Sequence, residues 1–464
     1  MKIILLSGGS GKRLWPTSNK TRPKQFLKVL KGEFNENKNI SSFERIYYQL
    51  RKANLESSTV IATNINQLNI LKDQLNDIIP TVIEPETRDT FGAVALSVLY
   101  MLENDSVTSE EPICIFPVDI LVDHSFIECI KNICEKKRNS SISLIGVNPT
   151  SPSEKYGYIL PLKNELLNNE DGQVKLYVEK PTKLQAQTLI ENGALWNSGV
   201  SIFTSEIIIT WLKNLNLPLT YNELLTKYNE IPNISFDYQV LAQTEQIFYT
   251  KYSGKWKDLG TWDSITQELN QNIIGKGTIQ NSENTHLFNE LEIPIIVQGI
   301  QNAVVSASIN GILVCSKDEA YLIKDAVDLY GDDCNDLFVE KNWGWYKILD
   351  HSINSAGQHI LTKKLHIKEN NNISYQFHEH RDETWTIIDG KGILVIDNQI
   401  FDAVVGKTFH IPSGSKHSIK ALTSLEIIEI QSGSQTRETD IIRISNDWEE
   451  IISLSLVQKL NLKV

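Results

Sequence analysis

The sequence predicts an α/β domain with a mostly parallel sheet, followed by a small β-rich connector and an all-β sandwich or barrel. Three observations support this reading. Residues 1–270 alternate short apolar runs with longer amphipathic stretches, the pattern of a parallel sheet covered by helices. Residues 271–335 lose helical periodicity and break into short apolar pieces punctuated by Gly and Asn. After Asn342-Trp343-Gly344 the chain alternates apolar with polar through Ile360–Glu429, with turn signals between the runs, in a domain read as 336–464. A length of 464 residues suits two to four domains, each burying a core.

Ile3–Leu6 reads as a buried first strand. Phe91, Val94, Ala95, Val98, Leu99 and Leu102 recur at helical spacing behind Asp89-Thr90, a capping pair. The runs Ile113–Phe116, Ile142–Val147, Val174–Val178 and Val200–Phe203 read as further strands of the same sheet. In the connector, Ile295–Val297, Ala303–Val305 and Ile312–Cys315 are short strand signals. Beyond Asn342-Trp343-Gly344, hairpin signals fall at Asp389-Gly390-Lys391-Gly392 and at Asp397-Asn398.

Lys and Arg total 45 against 57 Asp and Glu, a net charge of −12, which argues against nucleic-acid binding by bulk charge. Cys114, Cys129, Cys134, Cys315 and Cys334 form no CxxC pair and no even framework, so a reducing cytoplasm is the expected compartment. The apolar start, Met1–Leu6, is too short for a secretory segment, and no apolar run is long enough to span a membrane.

Against this acidic background, residues 1–32 carry eight Lys or Arg, among them Lys12, Arg13, Arg22 and Lys24, and no Asp or Glu. The same segment places Gly8, Gly9 and Gly11 directly after the first strand, where bare backbone N–H groups approach phosphate oxygens. It is not a Walker A loop, because Leu6 stands where the first glycine belongs, and Leu14 breaks the dinucleotide pattern. A solvated basic face beside a tight turn is the plainer alternative. Asp119 and Asp258 each follow a strand-like run, where ligands of open α/β sheets collect. Either alone reads first as a turn or cap carboxylate; with the loop they compose a nucleotide site for a hard cation such as Mg²⁺.

In order, the chain carries Ser7-Gly-Gly-Ser-Gly-Lys-Arg-Leu-Trp-Pro16, Pro23-Lys-Gln-Phe-Leu27, Tyr156-Gly-Tyr-Ile159, Val178-Glu-Lys-Pro181, Leu195-Trp-Asn-Ser-Gly199 and Asp258-Leu-Gly-Thr-Trp262. This series resembles the sugar-nucleotide pyrophosphorylases, specifically the long bacterial mannose-1-phosphate guanylyltransferases that carry a C-terminal mannose-6-phosphate isomerase domain. The resemblance implies a Rossmann-like nucleotidyltransferase domain (1–270), the connector (271–335) and a cupin, or jelly-roll, domain (336–464). It implies transfer of GMP from GTP to mannose 1-phosphate, giving GDP-mannose and pyrophosphate, in a cytoplasmic homodimer.

By the same resemblance Arg13, Lys24 and Lys180 are catalytic: the first two serve the triphosphate and Lys180 serves the sugar phosphate. Gly8, Gly9, Gly11, Glu84 and Arg88 line the nucleotide, Gly157, Glu179, Asn197 and Gly199 line the sugar, and Asp119 and Asp258 hold Mg²⁺. Glu84 suits guanine, whose N1–H and exocyclic amine a carboxylate accepts together, although an exposed strand-end glutamate is the plainer reading. Two positions depart from the family pattern: Ile120 replaces a histidine and Asp89 an asparagine. Both bear on metal, base and sugar choice.

Seven of nine histidines lie between His351 and His417. Gln376, His378 and His380 are spaced by two, so a strand would turn all three to one face. With Glu383 and His417, His378 and His380 suit Zn²⁺ or another borderline divalent ion. His410 reads as structural or as a support for a ligand. Gln376-Phe-His-Glu-His-Arg-Asp-Glu-Thr-Trp385 and Gly406–His417 resemble the two cupin motifs, implying mannose 6-phosphate and fructose 6-phosphate as an isomerase pair, with Gln376 and Arg381 near the substrate. Thr384 and Ala421 depart from that pattern. The alternatives are a pyrophosphorylase for another sugar or nucleotide with a non-catalytic cupin, and a sugar-nucleotide sensor without turnover.

Overall fold

The computed structural model describes all residues except 10, 20–21, 33–38, 76–78, 105–106, 137–140, 163–170, 270, 330–336, 437–439 and 462–464. Ser10, Lys20 and Cys334 therefore lie outside the described residues. Two compact units result: Met1–Ser308 with Ile312–Leu329, and Ile309–Gly311 with Tyr330–Val464. Among the described residues no helix is long and apolar enough to cross a membrane.

The first unit is built on a nine-stranded sheet. Thr81–Glu84, Thr59–Asn64, Lys2–Leu6 and Pro112–Pro117 run parallel in that spatial order, as their apolar character requires of strands buried on both faces. Leu195–Thr204 then pairs antiparallel with Pro112–Pro117, and the sheet continues through Ile142–Val147, Ile247–Tyr252, Asp171–Glu179 and Gly157–Pro161. The helix Asp89–Asn104 covers one face and buries Phe91, Val94, Ala95, Val98 and Leu99 there. The helices Ser42–Lys52 and His124–Glu135 cover the other face with Phe43, Ile46, Phe126 and Ile130. The expected cap differs in detail, because the Thr90 hydroxyl accepts the backbone N–H of Phe236 instead of closing its own helix.

The connector segment forms short parallel pairs, Gly277–Gln280 with Ile295–Gln298 and His286–Asn289 with Ala303–Ser308. It clusters with the first unit up to Leu329. Its Phe288, Val304, Ala320 and Ile323 share an apolar core with Leu14, Leu27 and Trp262. The loop that follows the first strand is thereby backed by the connector: Lys12 pairs with Asp328, and Arg22 with Glu290 at 2.8 Å.

The second unit is a sandwich of a six-stranded and a five-stranded sheet around Trp385, Leu394, Ile419, Leu425 and Ile427. Asp397 and Asn398, both in the left-handed region at φ 45° and 63°, form the two-residue hairpin expected between Lys391–Ile396 and Gln399–Val404. Asp389–Gly392 is not a hairpin. There the chain crosses from one sheet to the other, since Arg381–Asp389 pairs with Leu425–Gly433 and Lys391–Ile396 pairs with His417–Ala421.

Candidate functional site

In the first unit the glycine loop opens directly from Lys2–Leu6. Gly11 sits at φ 66°, and a Cβ there would stand 3.1 Å from Lys24 N and from Pro23 Cα, so only glycine lets the loop lie against the segment that carries Lys24. Gly8 and Gly9 have open space around them.

Asp119 follows the strand Pro112–Pro117. Ile120–Val122 then pairs antiparallel with Trp256–Asp258, setting Ile120 opposite Asp258, and Leu259 N–H donates to Asp119 O at 2.9 Å. This ribbon brings two aspartates from distant sequence positions side by side. Lys24 Nζ lies 2.6 Å from Asp119 Oδ2. Burial pushes the Lys24 ammonium down, but Asp119 and Asp258 outweigh it and hold it above its ordinary value. Burial also pushes the Asp119 carboxyl up, and Lys24 reverses this to leave it depressed. Asp258 is raised, by burial and by facing Asp119, against the pull of Lys24 and Arg13. One lysine thus serves two carboxylates, and the donor chemistry fits a hard divalent cation between them. Ile120, where the family pattern has a histidine, packs in the apolar core.

A second cluster lies at the ends of Asp171–Glu179 and Leu195–Thr204. Glu179 pairs in register with Gly157, where a Cβ would fall 2.6 Å from Glu179 Oε2 and closer still to the Tyr177 hydroxyl. Tyr177 O–H donates to Glu179 Oε2 at 2.7 Å, Asn197 Nδ2 donates to Asp237 Oδ1 at 3.1 Å, and Lys180 Nζ is 3.1 Å from Glu179 Oε1. Gly199 lies in the register shift of its strand, facing Pro117. Asp237 is pushed up to about 6 by burial and by Glu179. Asp237 and Tyr177 escaped the sequence reading. Their only signal is an acid between Phe236 and Tyr238 in a four-residue helix, and an aromatic two before Glu179.

Glu84 ends its strand 7% exposed, so it is not an exposed strand-end glutamate. Its Oε2 accepts the Tyr228 hydroxyl at 2.8 Å, and burial pushes the carboxyl up to about 7, with the charge of Asp89 adding to the rise. Arg88 is engaged by Glu86 Oε1 at 2.6 Å and by Ile231 O at 3.3 Å.

In the second unit His378 Nε2 lies 3.1 Å from Glu383 Oε1, and His417 Nε2 lies 3.4 Å from Glu383 Oε2, all at most 2% exposed. Their ligand atoms fall within 4.8 Å of one another, and His417 Nε2 and Gln431 Oε1 are buried without a hydrogen-bond partner, as atoms awaiting a cation would be. This donor set fits a divalent metal. Burial pushes Glu383 up, but the two imidazoles outweigh it and hold it well below the usual carboxylate range.

His380 does not join the cluster. The strand ends at Phe377 and the chain turns, so the alternation that was to align His380 stops short; it is exposed, and its backbone N–H donates to Asp440. His410 and Thr384 pair opposite each other on alternate positions to Glu383, facing away from the cluster, so His410 supports no ligand and the Thr384 departure leaves the donors untouched. Ala421 is core. Arg381 is buried, its Nε donating to Glu383 Oε1 at 3.0 Å. Arg381 and Gln376 line a cavity of about 460 Å³ beside the cluster, together with Lys363, Glu429, Gln431 and Arg443.

A basic glycine loop beside Asp119, which follows a parallel strand, and Asp258, which ends the antiparallel ribbon, marks an α/β phosphate-handling enzyme, and the sandwich carries a His/Glu cluster whose donors fit a divalent metal. Residues 2–273 match the nucleotidyl transferase family model and residues 334–446 that of the mannose-6-phosphate isomerase C-terminal domain. The chain belongs to the nucleotidyl transferase family and carries this isomerase domain behind it. It is 26% identical to a mannose-1-phosphate guanylyltransferase of Sinorhizobium fredii, over 96% of this chain and 91% of the relative. It is 27% identical to one of Salmonella typhimurium, over 96% and 98%. With the alginate biosynthesis protein AlgA of Pseudomonas fluorescens it shares 28% identity over 96% and 95%. A solved structure from Thermus thermophilus, described as a mannose-1-phosphate geranyltransferase, superposes with a TM-score of 0.58 at 25% identity, covering 71% of this chain and 98% of that one.

Proposed function

We propose that the first unit transfers GMP from GTP to mannose 1-phosphate, releasing pyrophosphate. The observation that supports this most is the meeting of Lys24, Arg13, Asp119 and Asp258 at the mouth of the glycine loop. Both substrates are anions, so the barrier is dominated by charge that must be gathered and kept in line. Lys24 and Arg13 attract the triphosphate and stabilise the charge that builds on the departing pyrophosphate. Lys180, reaching from the Glu179 side, holds the phosphate of the incoming sugar, and Glu179, Asn197 and Asp237 address its hydroxyls. When bound by Asp119 and Asp258, Mg²⁺ supplies charge neutralisation for both phosphates. Glu84 is the proposed reader of guanine, with Asp89 and Tyr228 setting its protonation.

The second unit is proposed as an isomerase of mannose 6-phosphate and fructose 6-phosphate, with Zn²⁺ or another divalent ion on His378, Glu383 and His417. That ion, when bound, polarises the sugar carbonyl. The cations Lys363 and Arg443 in the adjoining cavity suit the substrate's phosphate.

The test offers each of four nucleoside triphosphates with mannose 1-phosphate or glucose 1-phosphate and follows pyrophosphate, with and without Mg²⁺. GTP with mannose 1-phosphate should give the fastest release, and only with the metal. Equal release with UTP and glucose 1-phosphate would overturn the assignment. Fructose 6-phosphate conversion that survives a chelator would overturn the second.

A further inference from the structure

The inner face of the six-stranded sheet changes character along its strands. On Leu425–Gly433, Leu425 and Ile427 pack in the sandwich core, and the next two positions of that face are Glu429 and Gln431, 5% and 1% exposed. On His359–Ile367 the same face holds Lys363 in register opposite Glu429, followed by the core residues Leu365 and Ile367. On Arg381–Asp389 it holds Glu383 opposite Gln431, and then Trp385 opposite Glu429. A glutamate kept this dry costs stability unless charge or hydrogen bonds hold it there. The proposed metal accounts for Glu383 and does not account for Glu429.

Glu429 stands beside the metal set without belonging to it. Gln431 Nε2 donates to Glu429 Oε1 at 2.7 Å and to Glu383 Oε1 at 3.1 Å, so one amide orients both carboxylates. Both acids also line the cavity of about 460 Å³ next to the cluster. Among the described residues of that lining they are the only carboxyl groups, and none is a histidine. Glu383 is engaged by His378, His417 and Arg381 Nε. The lysines and arginines of the lining carry donors only, and Tyr346, with the Lys363 ammonium 4.7 Å above its ring, must lose its own proton before it can accept one. By chemistry and position, the acceptor left to serve a substrate in this cavity is Glu429.

We propose that Glu429 is the base that carries the proton between carbons 1 and 2 in the aldose–ketose interconversion. In the open-chain aldose its carboxylate takes the proton of carbon 2. The electrons of that C–H bond form the double bond to carbon 1, and the aldehyde oxygen becomes an enediolate oxygen. The proton of the hydroxyl on carbon 2 passes to that oxygen, the carbonyl re-forms at carbon 2, and Glu429 returns its proton to carbon 1. One proton has moved between carbons and one between oxygens, so no oxidant or reductant is needed. The assignment rests on the isomerase reading of the second unit, and the following experiment separates the two.

The full chain is compared as wild type, Glu429→Gln and Glu429→Asp for fructose 6-phosphate conversion, for metal bound per chain and for fructose 6-phosphate binding by calorimetry. Glu429→Gln keeps an oxygen for the Gln431 amide but has no proton acceptor, so kcat should fall about 10³-fold. Metal content and fructose 6-phosphate affinity should stay within about 3-fold of wild type. Glu429→Asp withdraws the carboxylate by one methylene. It should recover part of the rate and show a larger isotope effect than wild type for mannose 6-phosphate deuterated at carbon 2, a ratio that a role in packing alone would not move. Conversion by Glu429→Gln within about 10-fold of wild type would overturn the assignment of Glu429 alone. So would a loss of conversion that runs together with loss of metal or of fructose 6-phosphate binding. Should Glu429→Gln fold poorly, Glu429→Asp decides, and an isotope effect equal to that of wild type overturns the assignment. Absence of conversion in metal-loaded wild type would overturn the isomerase reading itself.

Discussion

The two chemical centres are built on opposite principles. At Asp119 and Asp258 the acids are neutralised in part by Lys24, which is 16% exposed at the side chain while Asp119 is 31% exposed. The centre is open, and Arg13 of the loop adds its charge to that of Lys24 against the two acids. At Glu383 every donor is at most 2% exposed, and the imidazole and carboxylate atoms converge within 4.8 Å of one another. A site that receives phosphates must stay wet enough to admit anions and a hydrated hard cation, whereas one that holds a borderline metal gains from a dry set of nitrogen and oxygen donors. The contrast lets each centre be broken without the other.

Removing both acids of the open centre should have the largest effect: Asp119→Asn with Asp258→Asn should lower pyrophosphate release by about 10³-fold or more, with fructose 6-phosphate conversion unchanged. The converse is Glu383→Gln, which should cut bound metal and isomerisation by about 10²-fold, read by metal analysis and coupled assay, while transfer stays within experimental scatter.

Glu84 tests how a buried carboxyl behaves inside the wet domain. Its value of about 7 exceeds the ordinary 4.5, so between those values the folded chain keeps a proton that the unfolded chain has lost. Stability of the first unit should therefore fall as pH rises from about 4.5 through 7, by an amount on the order of 3 kcal/mol. Glu84→Gln should flatten that fall in urea midpoints measured across pH, and should weaken GTP more than UTP. Equal losses for the two nucleotides would remove Glu84 from base selection.

Lys180→Ala should raise KM for mannose 1-phosphate by about 10-fold with a smaller change for GTP, since one charge-assisted phosphate contact is lost. His380→Ala should have the smallest effect, leaving metal content within about 2-fold of wild type. A larger loss would return His380 to the metal set, against its exposed place beyond the strand.

Much of this is legible from residues. The parallel strands show as apolar runs, and Asp397-Asn398 forms its hairpin because consecutive left-handed residues suit a two-residue turn. His380 departs from expectation for a local reason: period-two spacing orients side chains only while the strand lasts, and this one stops at Phe377. Asp389–Gly392 departs because a turn signal states that the chain bends, not which strand it joins next.

Sequence alone determined which chemistry was present: a basic glycine-rich start in an acidic chain, two acids after strands, and imidazoles near a glutamate. These depend on composition and short-range order. Tertiary structure alone decided that Asp119 meets Asp258 across a short antiparallel ribbon, that Asp237 completes the Asn197 cluster, and that Trp196 turns its ring to the far face of the sheet. Such contacts join residues far apart in the chain, and burial sets their charge, which no local pattern records.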